Sequence, residues 1–205
     1  MKLSTHIYFL LISLPLTTTA LLPPQKLLAK PSRSPAMPPA APSTSSSPET
    51  GTSITLSDAM GSDRSIHIFA GFTRDFAPIS QRLEDAQLRT TILAPRNSAI
   101  MALDRKPWED PTGQDYAAFG AEAYEGAEGR ERARDNLRRF VEAHVVERSP
   151  WPEGEKVSTR GGETVWWNHT EGVRVIQPGN IEVALVASRV HNGEVWILKG
   201  VRDYA

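Results

Sequence analysis

The residues best suited to chemistry in this 205-residue chain are five histidines: His6, His67, His144, His169 and His191. No two stand four apart, the spacing that sets two imidazoles on one helix face around a zinc ion, and no His-Glu-x-x-His sequence occurs. His6 lies in a leader-like segment and His191 beside an Asn-Gly pair, which leaves His144, on the apolar side of a strongly periodic stretch. There an imidazole serves either as an acid–base catalyst with a carboxylate partner or as a core histidine with both nitrogens bonded internally. The first role needs a hollow that reaches the ring. The second needs none.

Other chemistries find less support. Ser98 and Ser188 have no base partner in sequence, and no Gly-x-Ser-x-Gly elbow, Walker loop or dinucleotide fingerprint is present. Glu109, Asp110 and Asp115 form an acidic group within Gly- and Pro-rich sequence, which reads as a solvated loop; a metal or glycosidase site is the alternative. Cysteine is absent, which removes thiolate ligands, cysteine nucleophiles and disulfides. The expectation is no catalytic residue, no cofactor and no metal. A net charge of -1 gives no electrostatic attraction to nucleic acid or to an anionic membrane.

Positioning these residues falls to a chain with three parts. Lys2, an apolar run over residues 7–14, and the small residues Thr18 and Ala20 read as a cleaved secretory signal over residues 1–20. The run is shorter than the roughly 20 residues a membrane span requires. Residues 21–51 are rich in Pro, Ser, Thr and Ala and read as a disordered linker, because they offer almost nothing to bury. The folded part is residues 52–205.

Apolar spacing in that part predicts helices near residues 66–72, stopping around Gly71, and over 76–85. Thr90 to Leu93 is β-branched and apolar, hence a buried strand; Pro95 ends it, and Asn97 is placed to cap a helix through Ile100 and Leu103. An insertion follows over 106–129, with a short helical piece at 116–119 and Trp108 expected to dock it on the body. The clearest helix covers 130–146, with Leu137, Phe140, Val141 and His144 on one face and Asp135 placed to pair with Arg139. Short strands at 156–160, 163–167, 173–177, 181–187 and 194–198 come last, with Asn192-Gly193 as the strongest hairpin signal. Helices first and strands afterwards means α+β, a helical layer on a mostly antiparallel sheet.

Three segments in this order resemble the fasciclin-like (FAS1) domain. TTILAPRNSAI (90–100) looks like that family's first homology box, NLRRFVEAHVV (136–146) is similar to its central helix with the His motif, and IEVALVASRVHNGEVWILKGV (181–201) looks like its second box. The layout is similar to single-domain fungal members of the secretory pathway and vacuole. The resemblance implies a wedge of helices packed on an antiparallel β-sandwich, a domain not known as a catalyst, and a role in adhesion or protein interaction. It also implies structural roles: Thr91, Pro95 and Asn97 finish the strand-to-helix bend, His144 sits between helices and sheet, and Asn192 and Gly193 form a hairpin. Adhesive animal members carry an acidic residue just before that hairpin, where this chain has Ala187. Integrin-type adhesion is therefore not carried over.

Three features bear on partners. Trp166 and Trp167 are neighbours in a strand and must point to opposite faces, so one is either a contact for a partner or sugar ring or is covered by the Trp108 loop. Arg130, Arg132, Arg134, Arg138 and Arg139 form a basic run, read first as a solvated helix surface with internal ion pairs and second as a contact surface, Arg138 included, for a sulfated glycan or phospholipid headgroups. Asn168-His169-Thr170 is an N-glycosylation sequon. The expectation is a non-catalytic secretory-pathway interaction module, vacuolar or secreted to the wall, with an unidentified protein or glycan ligand and no transmembrane segment. The alternative is a small hydrolase, or a lipid or small-ligand carrier, using a pocket near His144.

Overall fold

The computed structural model describes residues 53–205; the segments read as leader and linker lie outside them. Helix α1 (Leu56–Ser62) opens on a capping box in which the Thr55 hydroxyl accepts from the Asp58 N–H and the Asp58 carboxylate accepts from the Thr55 N–H. Helix α2 (His67–Arg74) runs past Gly71, where the sequence pattern predicts a stop, because Thr73 continues beyond it the buried face that Phe69 and Ala70 begin. Helix α3 (Ala77–Glu84) buries Ile79 and Leu83. Strand β1 (Thr90–Pro95) is buried at every position and leads into α4 (Asn97–Met101).

The insertion carries the short helix α5 (Gln114–Phe119), followed by a 3-10 turn over Gly120–Glu122. Helix α6 (Gly126–Ala143) starts earlier than the apolar periodicity predicts and stops at His144. It ends there because Val145 and Val146 leave helical geometry to pair with Ile92 and Thr91 as strand β2 (Val145–Val146). The expected Asp135–Arg139 pair does not form: Arg138 takes Asp135, and Arg139 donates to the side-chain oxygen of Asn136, which is buried and needs a donor.

The remaining strands are β3 (Val157–Ser158), β4 (Thr164–Thr170), β5 (Val173–Gln177), β6 (Ile181–Val190) and β7 (Gly193–Leu198). Together the seven form one ladder in the order β2-β1-β7-β6-β5-β4-β3. All neighbours are antiparallel except β1 and β7, which run parallel from Thr90↔Gly193 to Pro95↔Leu198. With helices segregated on one side, the fold is α+β.

Alternation along the strands divides the core. Ile92, Val195 and Ile197 face the helices with Leu56, Phe69, Leu83 and Phe140. Leu93, Trp196 and Leu198 point the other way, onto Trp151, Val165, Trp167 and Ile176. In a flat sheet β4 and β7 would lie about 14 Å apart at about 4.8 Å per strand. Yet the Trp167 and Trp196 rings are 5.5 Å apart. The ladder therefore curls over itself, and its two limbs enclose the second cluster as the layers of a sandwich do.

Candidate functional site

The bend after β1 is where sequence and structure agree on location and differ on roles. Pro95 belongs to the strand, paired with Leu198, and the Arg96 N–H donates to the Leu198 carbonyl at 3.1 Å, so the ladder continues past the proline. The Thr91 hydroxyl donates to the Arg148 carbonyl at 2.6 Å. Asn97 does not cap its own helix; Arg96 holds the N-cap position and makes no side-chain cap bond. The Asn97 side chain reaches α2 instead. Its oxygen accepts from the Ile68 N–H at 3.1 Å, and its amide donates to the Arg64 carbonyl and to His67 Nδ1. The first turn of α2 has no cap of its own, so its free N–H groups draw in a polar side chain from a distant part of the chain.

His144 is 0% exposed, at the point where α6 becomes β2. Its Nδ1 donates to the Phe140 carbonyl at 2.7 Å, and its Nε2 accepts from the Arg202 N–H at 3.2 Å. Its own carbonyl accepts from the Leu93 N–H at 2.9 Å. Burial pushes its pKa down to about 3; the Phe140 carbonyl opposes this and the Arg202 charge adds to it. Phe69 and Phe140 pack against the ring at 5.5 and 4.7 Å. No carboxylate is among its hydrogen-bond partners.

Asn192 and Gly193 tie the other end of β1. The sequence pattern makes them the hairpin turn, but Val190 pairs with Gly193, so the turn residues are His191 and Asn192. Asn192 is fully buried: its amide donates to the Leu83 and Asp85 carbonyls, and its oxygen accepts from the Leu56 N–H. One side chain thus joins the start of α1 to the end of α3. The backbone here also passes β1 so closely that a Cβ on Gly193 would lie 1.8 Å from the Thr90 carbonyl oxygen. That approach, more than turn geometry, demands glycine.

Two residues in this network carry no role in the sequence reading. Arg202 is buried, with its guanidinium on the Ala143 carbonyl and on Glu163. An arginine between Val201 and Asp203 gives no sequence signal for burial. Asn136, also buried, donates to the Trp108 carbonyl at 3.2 Å and to Asp115 at 3.3 Å. Its place one turn before Phe140 on the inner face of α6 is a signal that periodicity could have supplied.

The expected contact residues divide. Trp167 is only 6% exposed and belongs to the core, whereas Trp166 is half-buried with the Lys156 amine 5.0 Å from its ring centre. Trp108 does not dock the insertion; it is 42% exposed, and Tyr124, Asp110 and Asn136 hold that segment instead. Asn168 lies on β4, with its amide 3.0 Å from the Thr170 hydroxyl. Arg138 borders an open cleft of about 600 Å³ between α3 and α6, opposite Phe76 and Pro78. Smaller hollows flank residues 201–205 and α6, and His144 lines none of these. Among the described residues no group of three or more His, Asp or Glu is placed to hold a metal, and no helix is long and apolar enough to cross a membrane.

The three segments that carry the family resemblance meet in space at this network: β1 beside β7, with the end of α6 hydrogen-bonded to Leu93. No family model matches the chain. Sequence relatives do: a FAS1 domain-containing protein of Neurospora crassa is 57% identical over 182 residues, covering 86% of this chain and 79% of that protein. The chain belongs to the FAS1 domain-containing proteins. Two other such proteins, of Aspergillus fumigatus and Emericella nidulans, are 53% and 49% identical over 73% and 72% of this chain, which spans 63% and 61% of their lengths. A solved FAS1 domain pair from the insect cell adhesion molecule fasciclin I overlays with a TM-score of 0.47 at 15% identity, covering 72% of this chain and 50% of that one. In this FAS1 chain the polar groups at the β1 junction are engaged in holding helices to strands.

Proposed function

We propose that this FAS1 domain is a non-catalytic interaction module of adhesion type. It passes through the secretory pathway behind a signal at residues 1–20 and a linker at 21–51. It works in the vacuole or at the cell wall, carries a glycan on Asn168, and presents its surface to a protein or glycan partner. Thr91, Pro95, Asn97, His144, Asn192 and Gly193 serve architecture.

One observation carries this reading. His144, the histidine best placed for catalysis by sequence, is sealed and has both ring nitrogens committed to backbone groups. A hydrolase or carrier built on it would need a hollow at the ring, and no hollow described above supplies one.

The test is expression of the tagged full-length chain in a filamentous fungus, followed by fractionation and endoglycosidase treatment. The expected result is a vacuolar or wall-associated protein whose mobility shifts on deglycosylation, with the shift lost in Thr170→Ala. A cytosolic, endoglycosidase-insensitive protein would overturn the reading.

A further inference from the structure

Among the described residues, the large aromatic side chains left most open to solvent lie in the insertion between α4 and α6. Trp108 is 42% exposed, Tyr116 58% and Phe119 50%. Helix α5, which carries Tyr116 and Phe119 one turn apart on a shared face, buries none of its residues. Six residues with no buried side do not hold a helix by packing. Polar anchors hold it. The Asp110 carboxylate accepts from the N–H and hydroxyl of Thr112 and from the N–H groups of Gln114 and Asp115. Asn136 on α6 grips both the Trp108 carbonyl and the Asp115 carboxylate. Rigid, half-exposed aromatic rings are the material of binding hot spots, and fixing them in advance removes part of the ordering cost of association.

Charge selects the partner. Residues 106–129 hold six carboxylates, Glu109, Asp110, Asp115, Glu122, Glu125 and Glu128, against one amine, Lys106, while Arg105 and Arg132 reach onto the insertion from its flanks at Gly113 and Phe119. The Lys106 amine is already engaged by the Met101 and Leu103 carbonyls. Glu122, Glu125 and Glu128 are exposed, and none of them is in an ion pair among the described residues. The rings also attract cations: the Arg132 guanidinium lies 4.2 Å from the centre of Phe119. An acidic partner would meet a field of its own sign. A wholly apolar one would strip water from three carboxylates without replacing it.

We propose that this acidic, aromatic insertion is a docking surface for a lysine- and arginine-rich segment of a partner protein. The aliphatic stems and cationic heads of that segment lie on Trp108, Tyr116 and Phe119, and its charges face Glu122, Glu125 and Glu128. The proposal rests on the interaction-module reading and names the class of partner for it.

The test uses the full-length secreted protein and two short labelled peptides of equal length, one of Lys, Arg and Gly and the other of Glu and Gly, followed by fluorescence anisotropy. The basic peptide should bind, and binding should weaken about tenfold or more between about 50 and about 500 mM NaCl. Tyr116→Ser/Phe119→Ser and Glu122→Gln/Glu125→Gln/Glu128→Gln should each weaken it by about tenfold while thermal unfolding stays unchanged, since neither removes a buried group. Equal binding of both peptides, or wild-type binding by either variant, overturns the proposal. So does failure to bind the basic peptide; if that protein still reaches the vacuole or wall with its glycan, the interaction-module reading stands and only the partner class falls.

Discussion

The backbone N–H of Arg202 points at Nε2 of His144 across 3.2 Å, while Nδ1 of the same ring donates to Phe140. Two backbone groups therefore set the tautomer: the proton belongs on Nδ1 and the lone pair on Nε2. A second proton would confront an N–H and lie near the Arg202 guanidinium. The ring has no access to solvent that could soften either contact.

This geometry makes stability depend on pH with a definite sign. The folded pKa is about 3 against an ordinary 6.5, so the unfolded chain takes up the proton first as pH falls. The contribution is fully present above 6.5 and is lost progressively as pH drops towards 3, by about 1.4 kcal/mol for each unit traversed. Urea unfolding at about pH 7.5 and about pH 5 should show the loss. His144→Gln should be less stable at the higher pH but flatter between the two. An equal slope in the variant would assign the dependence to other groups.

Asn192→Ala should destabilise by about 2–4 kcal/mol, because it leaves the Leu56 N–H and the Leu83 carbonyl buried without partners. Gly193→Ala should be at least as damaging, since its methyl meets the Thr90 carbonyl, which belongs to the backbone of the central strand and cannot move aside. Denaturant midpoints check both. A near-neutral Gly193→Ala would mean that β1 and β7 do not approach as described.

The adjacent tryptophans should behave oppositely. Trp167→Ala empties a buried site between Trp196 and Arg174 and should cost about 3–5 kcal/mol. Trp166→Ala, losing a half-buried ring and a lysine contact, should cost about 1 kcal/mol or less. Comparable effects would contradict the assignment of faces in β4.

Asp110→Ala should loosen the insertion and spare the body. Burial pushes this carboxyl up, but the hydrogen bonds from Thr112, Asp115 and Gln114 outweigh it and hold the group below its ordinary range. Without it α5 loses its anchor, so amide exchange and proteolytic cleavage should accelerate over residues 110–119 while α6 stays protected. Unchanged exchange in that segment would show that α5 is held by something else.

Much of this architecture was legible in sequence because it depends on local pattern. The β-branched run at Thr90, the helical spacing up to Phe140 and the strand at 173–177 each declare themselves over a few residues. Partners were not legible where a polar side chain serves a distant element. Asn97 looks like a cap, and it is one, but for α2, about thirty residues earlier in the chain. Asn192 looks like a turn residue, yet it is drawn inside by the free groups of α1 and α3. Arg202 and Asn136 have ordinary neighbours in sequence and unusual ones in space. Trp166 and Trp167 had to face opposite ways, but which of them is enclosed stayed open in sequence, because the curling of the sheet that brings Trp167 onto Trp196 is encoded by no short pattern.

The parallel alignment of β1 with β7 also governs when the domain can form. During synthesis the first strand leaves the ribosome long before the strand that must lie beside it, and the helices preceding it have only half a platform to settle on. The unpaired edge of β1 is hydrophobic and needs shielding throughout that interval. Cooperative closure must therefore wait for Leu198, about a hundred residues further along the chain, and until it arrives the helix layer has no finished sheet to close upon.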